Sequence, residues 1–244
     1  MGRRGDPDMM AVLVEPGSLA VGKEVPLADE ESNHLKVRRA NNGATIRLLD
    51  GAGTIATGLL TWRGKKASVS IGTVVHVAEP APLTLAVGAG DRDRFGWVVE
   101  KCAELGVTDL IPLASDHATG VATRIREDHI DKLAVRARET LKQSGAAWAP
   151  RVHPLQSIEQ CSAMARRGLR WLAQPGGALP PAALDDEPIT IVIGPEGGWT
   201  EQELGHLLAR FEPIALAAPI LRFETAALAA ASVVGIARLR GARV

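Results

Sequence analysis

Apolar and polar positions along this chain follow two rhythms, and the change falls near residue 79. From residue 10 to 77, short apolar bursts alternate with turn-forming residues, a pattern that predicts strands at 11–14, 45–49, 54–60, 67–71 and 74–77. Asp50-Gly51, between the second and third of these, is a hairpin signal, because glycine accepts the positive φ that tight turns require. Arg63-Gly64-Lys65-Lys66 makes a second break. Several short strands with frequent turns predict a small β-barrel.

Glu79-Pro80-Ala81-Pro82 is the predicted linker, since its two prolines interrupt ladders and helices alike. Beyond it, strand-like runs at 83–87, 109–113, 169–173, 189–193 and 214–217 alternate with helical patterns. Phe95, Val98, Val99, Cys102 and Leu105 recur at helical spacing, and Gly106 closes them. Ile130, Leu133, Ala134, Ala137 and Leu141 form another such stripe, ended by Gly145. Further helices are predicted at 157–167, after Thr200 and from about Thr225. The alternation predicts an α/β domain with a mostly parallel sheet over 83–244, after a β-barrel domain over 1–78.

Ligands of parallel sheets sit beyond the carboxyl ends of the strands. The predicted strand 189–193 runs at that end into Gly194-Pro195-Glu196-Gly197-Gly198. A helix follows at once: Thr200 with Glu203 fits a capping box, and Leu204, Leu207, Leu208 and Phe211 supply its apolar stripe. By itself the turn fits either a sharp strand-to-helix connection or a loop that admits a ligand to backbone groups. It is not a phosphate loop. No Lys-Ser/Thr follows the glycines, GxGxxG is absent, and Glu196 would repel a phosphate. A ligand with a cationic centre, or one read through backbone groups, suits it better.

Composition narrows the classes. With 46% hydrophobic and 23% charged residues, the 244-residue chain reads as globular and long enough for two modest domains. Basic and acidic residues balance at 28 each, so a nucleic acid would have to be held by a local patch. Cys102 and Cys161 lack CxxC spacing, which argues against a disulfide framework or a zinc site and for a reducing cytoplasm. The first ten residues have no apolar stretch after their arginines and do not read as a signal peptide. The longest apolar run, 226–237, is too short and alanine-rich to span a membrane.

Gly194-Pro195-Glu196-Gly197-Gly198, with Leu216 and Ile220-Leu221-Arg222-Phe223-Glu224-Thr225-Ala226 downstream, resembles the RsmE family. Asn33-His34-Leu35-Lys36-Val37-Arg38-Arg39, Lys101-Cys102-Ala103-Glu104-Leu105-Gly106-Val107 and Gln143-Ser144 with Pro150 extend the resemblance across nearly the whole chain. The resemblance implies a SPOUT-class enzyme that uses S-adenosylmethionine to methylate N3 of a uridine in small-subunit ribosomal RNA. It further implies a PUA-like barrel, a trefoil knot in the second domain, a cytoplasmic homodimer, and no metal. Carried over by position, the cofactor would lie against Leu172, against Ile193, Gly194, Pro195, Glu196, Gly197 and Gly198, and against Leu216, Ala217, Ile220 and Leu221.

Loss of the N3 proton spreads negative charge onto the uracil carbonyl oxygens, and a guanidinium beside them would stabilise it. Arg222 is the candidate for that role; an ion pair with Glu224 or a phosphate contact is its simpler alternative. Glu224 is a second catalytic candidate, although capping the last helix together with Thr225 is the plainer function. N3 lies on the Watson–Crick edge, so the base must be unpaired or flipped. Lys36, Arg38, Arg39 and Arg63, with Lys65 and Lys66, are candidate RNA contacts on the barrel, as are Arg92 and Arg94 on the second domain. A solvated polar face is the simpler reading of each.

The chain departs from the family pattern at Ala217, Pro219 and Phe223, at Lys142 and Ala146, and near Asp116-His117, where a family arginine has no clear counterpart. These departures bear on the substrate more than on fold or cofactor. A SPOUT methyltransferase with another RNA target and a catalytically weak RNA-binding protein of the same fold stay open. A nicotinamide-dependent enzyme is disfavoured by the missing dinucleotide fingerprint.

Overall fold

The computed structural model describes residues 9–118, 124–165 and 167–242. Most of the first ten residues, which do not read as a signal peptide, and residue 166 of the helix predicted at 157–167, lie outside the described residues. The chain divides into two compact units, residues 1–79 with 138–149, and residues 80–137 with 150–244.

The first unit holds β1 (Ala11–Leu13), β2 (Glu24–Pro26), α1 (Asp29–Val37), β3 (Thr45–Leu49), β4 (Thr54–Arg63) and β5 (Lys66–His76). Its sheet runs β1-β3-β4-β5-β2, antiparallel except for the β1–β3 pair. Alternating side chains bury Val12, Ile46, Leu48, Leu60 and Val69 against Leu35 of α1. Asp50 builds the predicted hairpin by accepting the Ala52 and Thr54 amides, both at 2.8 Å. The strands expected at 67–71 and 74–77 are one strand, whose break is a register shift opposite Thr57 and Gly58. α1 escapes periodicity because it is nearly all polar. Asp29, Glu30 and Glu31 begin it and Lys36 ends it, a charge order that suits the helix dipole.

The second unit runs β6 (Leu83–Gly88), α2 (Arg92–Glu104), β7 (Asp109–Leu113) and α3 (Ile130–Glu139), within which the boundary between the units falls. After α4 (Leu141–Ser144) in the first unit, it resumes with β8 (Arg151–Val152), α5 (Ile158–Met164), β9 (Leu169–Ala178), β10 (Ile189–Ile193), α6 (Glu201–Leu208), β11 (Glu212–Ile214) and α7 (Phe223–Gly241). Every strand pair in the sheet β11-β9-β10-β6-β7-β8 is parallel. Side chains of α2, α3 and α7 share one core with Leu85, Ile189, Ile191 and Ile193, while α5 and α6 share another with Ala86, Leu172 and Val192. The sheet is thus covered on both faces, as the α/β reading requires.

Residues 138–149, counted with the second domain in the sequence reading, pack with the first unit. Arg138 donates to the carbonyls of Val14 and Asp50, Leu141 joins Ala11 and Leu49, and the Trp148 indole donates to the Val77 carbonyl at 3.0 Å. Lys142 reaches buried Glu31 at 3.0 Å and also pairs with Glu139. Burial opposes charge on Lys142, but these carboxylates outweigh it and hold its pKa above the usual lysine value. A glutamate at 142 would therefore face two carboxylates.

A second buried charge lies at the amino end of β7. Burial opposes ionisation of Asp109, but hydrogen bonds from His153, Arg151 and Thr108 prevail and hold its pKa well below the carboxylate range. Arg151 spans both carboxylate oxygens at 2.8 and 3.0 Å, and His153 Nε2 lies 2.8 Å away. Cys102 and Cys161 are free and buried, and burial pushes their thiols up to about 12 and about 11. Both stay protonated at neutral pH.

Two stability predictions follow from these charges. Asp109→Asn should destabilise the protein by about 2 kcal/mol at pH 7, less than a fully buried pair would, because Arg151 is half-exposed. Asp109 has a lowered folded pKa, so its contribution is present above pH ~4 and fades as pH falls further; the gap between wild type and variant in urea titrations should close with it. Lys142→Glu should cost about 3 kcal/mol or more by the same measurement, and more than Lys142→Met.

Candidate active site

β10 is buried along its whole length between β6 and β9. The chain leaves β6 toward β7 on one side, and leaves β10 toward β11 on the other. Adjacent parallel strands whose connections diverge leave a crevice at their carboxyl ends. Gly88 ends β6 there, and a Cβ on it would lie 2.5 Å from the Pro195 nitrogen. The turn after β10 is therefore seated directly on the end of β6.

A cavity of about 650 Å³ opens at this edge, within the usual range for small-molecule sites. Ile193, Gly194, Pro195, Glu196 and Gly198 form one wall, and Leu216, Ala217, Pro219, Ile220, Leu221 and Arg222 another. The two segments singled out in the sequence thus meet. Ala173, Gln174 and Pro175 of β9 also line it, whereas Leu172 itself is fully buried among Val192, Leu207 and Phe211. Gly197 turns away from the cavity, toward His117.

The mouth is charged. Arg94, in the first turn of α2, pairs with Glu196 and lies 4.0 Å from Glu224. The α2 N-cap is Asp91, whose side chain accepts the Asp93 and Arg94 amides at 3.0 and 3.1 Å. That cap offsets the basic residues at the helix start. Arg222 is exposed at the N-cap of α7 and makes no side-chain cap bond. Glu224 does not cap the helix, contrary to the plainer expectation, because α7 begins two residues earlier than predicted. Its Oε1 faces Arg94, and its Oε2 is buried without a hydrogen-bond partner.

Departures from the family pattern find places here too. Arg39 is the only described non-glycine residue with positive φ, so the Ala217 backbone is open to any L-residue. Phe223 is buried against Gly90. Trp199 and Gln174 line the cavity without having been singled out; Trp199 directly follows the glycines, which is the signal that could have found it.

On the first unit, Lys36, Arg38 and Arg39 are exposed at the end of α1. Arg63 lies 3.3 Å from Glu24, and on the second unit Arg92 lies 3.6 Å from Asp93. Among the described residues no group of three or more His, Cys, Asp or Glu is placed to hold a metal ion, and no helix is long and apolar enough to cross a membrane.

Comparison with known proteins gives this arrangement a family. The chain is 29% identical over 207 residues to ribosomal RNA small subunit methyltransferase E of Synechocystis, a match covering 78% of this chain and 65% of that protein. It is 27% identical to the Rickettsia conorii protein of the same name, over 87% of this chain and 89% of the relative. A crystal structure of ribosomal RNA small subunit methyltransferase E from Neisseria gonorrhoeae, bound to S-adenosylmethionine, superposes with a TM-score of 0.82 at 28% identity, covering 92% of this chain and 95% of that one. An RNA methyltransferase PUA domain matches residues 27–69, and an RNA methyltransferase domain matches residues 77–235. The chain belongs to the RNA methyltransferase family.

Proposed function

We propose that this protein methylates N3 of a uridine in small-subunit ribosomal RNA, with S-adenosylmethionine as the methyl donor. The observation that carries the proposal is the cavity walled by the glycine turn and by residues 216–222. Its chemistry fits the cofactor. Ile193, Leu216 and Leu221 offer apolar walls for an adenosine, and the turn offers backbone donors and acceptors at close approach. Glu196 lines the mouth, where its charge is shared with Arg94.

When bound, the cofactor supplies an electrophilic methyl group. The protein's own task is to hold the base with N3 in line and to stabilise the charge that develops on the uracil oxygens. Arg222, exposed on the cavity wall, is the group for that charge. Glu224, 4.0 Å from Arg94 at the same mouth, is the second catalytic group. The barrel, residues 1–78, grips RNA outside the pocket, and residues 83–244 form the catalytic domain.

Arg39 supports the RNA role on physical grounds. It stands at φ 56°, the left-handed position that closes a helix and that glycine adopts without strain. An arginine kept there at a conformational cost has another use, and Lys36 and Arg38 beside it extend the same basic end of α1. The insertion of β10 between β9 and β6 supports a knotted path for the chain. Ile220, 85% exposed at the cavity wall, with Ile236 and Leu239 on α7, supports a homodimer that covers them. A cytoplasmic location follows from a ribosomal RNA substrate.

Calorimetry with S-adenosylmethionine should show binding, and ribosomal RNA from a deletion strain should lack one N3-methyluridine by mass spectrometry; an unchanged RNA would refute the substrate. Arg222→Ala should lower kcat by about 10²-fold or more with cofactor affinity nearly unchanged. Arg39→Gly should leave stability unchanged or raise it by up to about 1 kcal/mol, while weakening RNA binding and reducing the slope of affinity against salt by about one counter-ion.

A further inference from the structure

The glycine turn has a brace outside the cavity. The single helical turn Asp116–Ala118 follows β7, and from it His117 Nδ1 lies 2.8 Å from the Gly197 carbonyl and 3.2 Å from that of Gly198. Both partners only accept, so Nδ1 carries the hydrogen. The fit is mutual: a Cβ on Gly197 would stand 2.9 Å from the Cβ of His117. One residue earlier, the Asp116 amide donates to Glu203 at 3.0 Å. Glu203 in turn accepts the Thr200 amide at 2.8 Å, so the same short segment touches both the turn and the capping box of α6.

We propose that His117 is a positioning residue for the cofactor turn, holding the Gly197 and Gly198 carbonyls so that Gly194, Pro195, Glu196 and Gly198 meet the ligand in one shape. The inference rests on the cofactor reading of the cavity. Its physical basis is entropy. Gly197 and Gly198 are the residues with the most backbone freedom to lose, and a turn that must order on binding weakens affinity by the cost of ordering. A donor anchored at the end of β7 removes that freedom before the ligand arrives. The cavity wall needs flexible residues for close approach, and the brace restores the rigidity they lack.

Three variants test this: His117→Leu, which keeps bulk without a donor; His117→Asn, which keeps a donor; and Gly197→Ala, which displaces the imidazole. In His117→Leu the dissociation constant for S-adenosylmethionine should rise about tenfold, or ~1.4 kcal/mol, with the thermal midpoint little changed. His117→Asn should recover most of that loss. Gly197→Ala should weaken binding similarly, and the double variant Gly197→Ala/His117→Leu should be no worse than either alone. Hydrogen exchange over residues 194–204 in the ligand-free protein should quicken in His117→Leu and return toward wild type in His117→Asn. Wild-type exchange and affinity in His117→Leu would overturn the proposal, as would an asparagine variant no better than leucine. If the wild-type protein fails to bind the cofactor, the methyltransferase reading falls, and the exchange experiment alone still decides whether His117 braces the turn.

Discussion

The placement of β10 governs this molecule. A strand of sequence Ile-Thr-Ile-Val-Ile, buried throughout and paired in parallel on both sides, cannot offer its faces or edges to a ligand. Only its end is available. β6 stops level with it, while β9 runs on to Ala178 and walls the space beyond, so that end opens a crevice, and the glycines that follow make its wall accessible to backbone chemistry.

Charge is divided between the two ends of the sheet. At the amino end of β7, Asp109 is satisfied by Thr108, Arg151 and His153, a closed set that stabilises the β7–β8 edge. Arg238, near the end of α7, donates to the carbonyls of Ala81, Pro82 and Glu187, fixing the starts of β6 and β10. Arg238 Nε is itself buried without a hydrogen-bond partner, and at the carboxyl end several groups are shared or incomplete. Arg94 is shared between two carboxylates, Glu224 keeps a buried oxygen without a partner, and Arg222 is exposed. Saturated polar groups stabilise a fold; unsaturated ones at a cavity mouth are available to a substrate.

Much of this was legible along the chain. Four of the five strand-like runs of the second unit, the Asp50 hairpin and the Thr200–Glu203 capping box all rest on local patterns and are present in the structure; the run expected at 214–217 is strand only at Ile214, because β11 spans Glu212–Ile214. The segments containing Gly194–Gly198 and Leu216–Arg222 were legible as motifs, and both line the cavity. What escaped were elements without periodicity. Of its apolar residues α1 buries Leu35 alone, beside Glu31 and Ser32, β2 and β8 are too short to alternate, and the bulge in β5 makes one strand read as two. His117 escaped for another reason: it lies eighty residues from its partners, so no local spacing signals it.

The amino-acid sequence by itself determined the two rhythms of the chain, the glycine turn at a strand end, and the family resemblance, because each depends on residues close together in the chain. Tertiary structure alone decided which strands are neighbours, that residues 138–149 join the first unit, that Lys142 answers Glu31, and that Leu172 is core while Ala173 and Gln174 line the cavity. The physical reason is the same in each case. Hydrophobic pattern sets how a segment folds, whereas pairing and charge partnership between distant segments are settled only when burial brings them together.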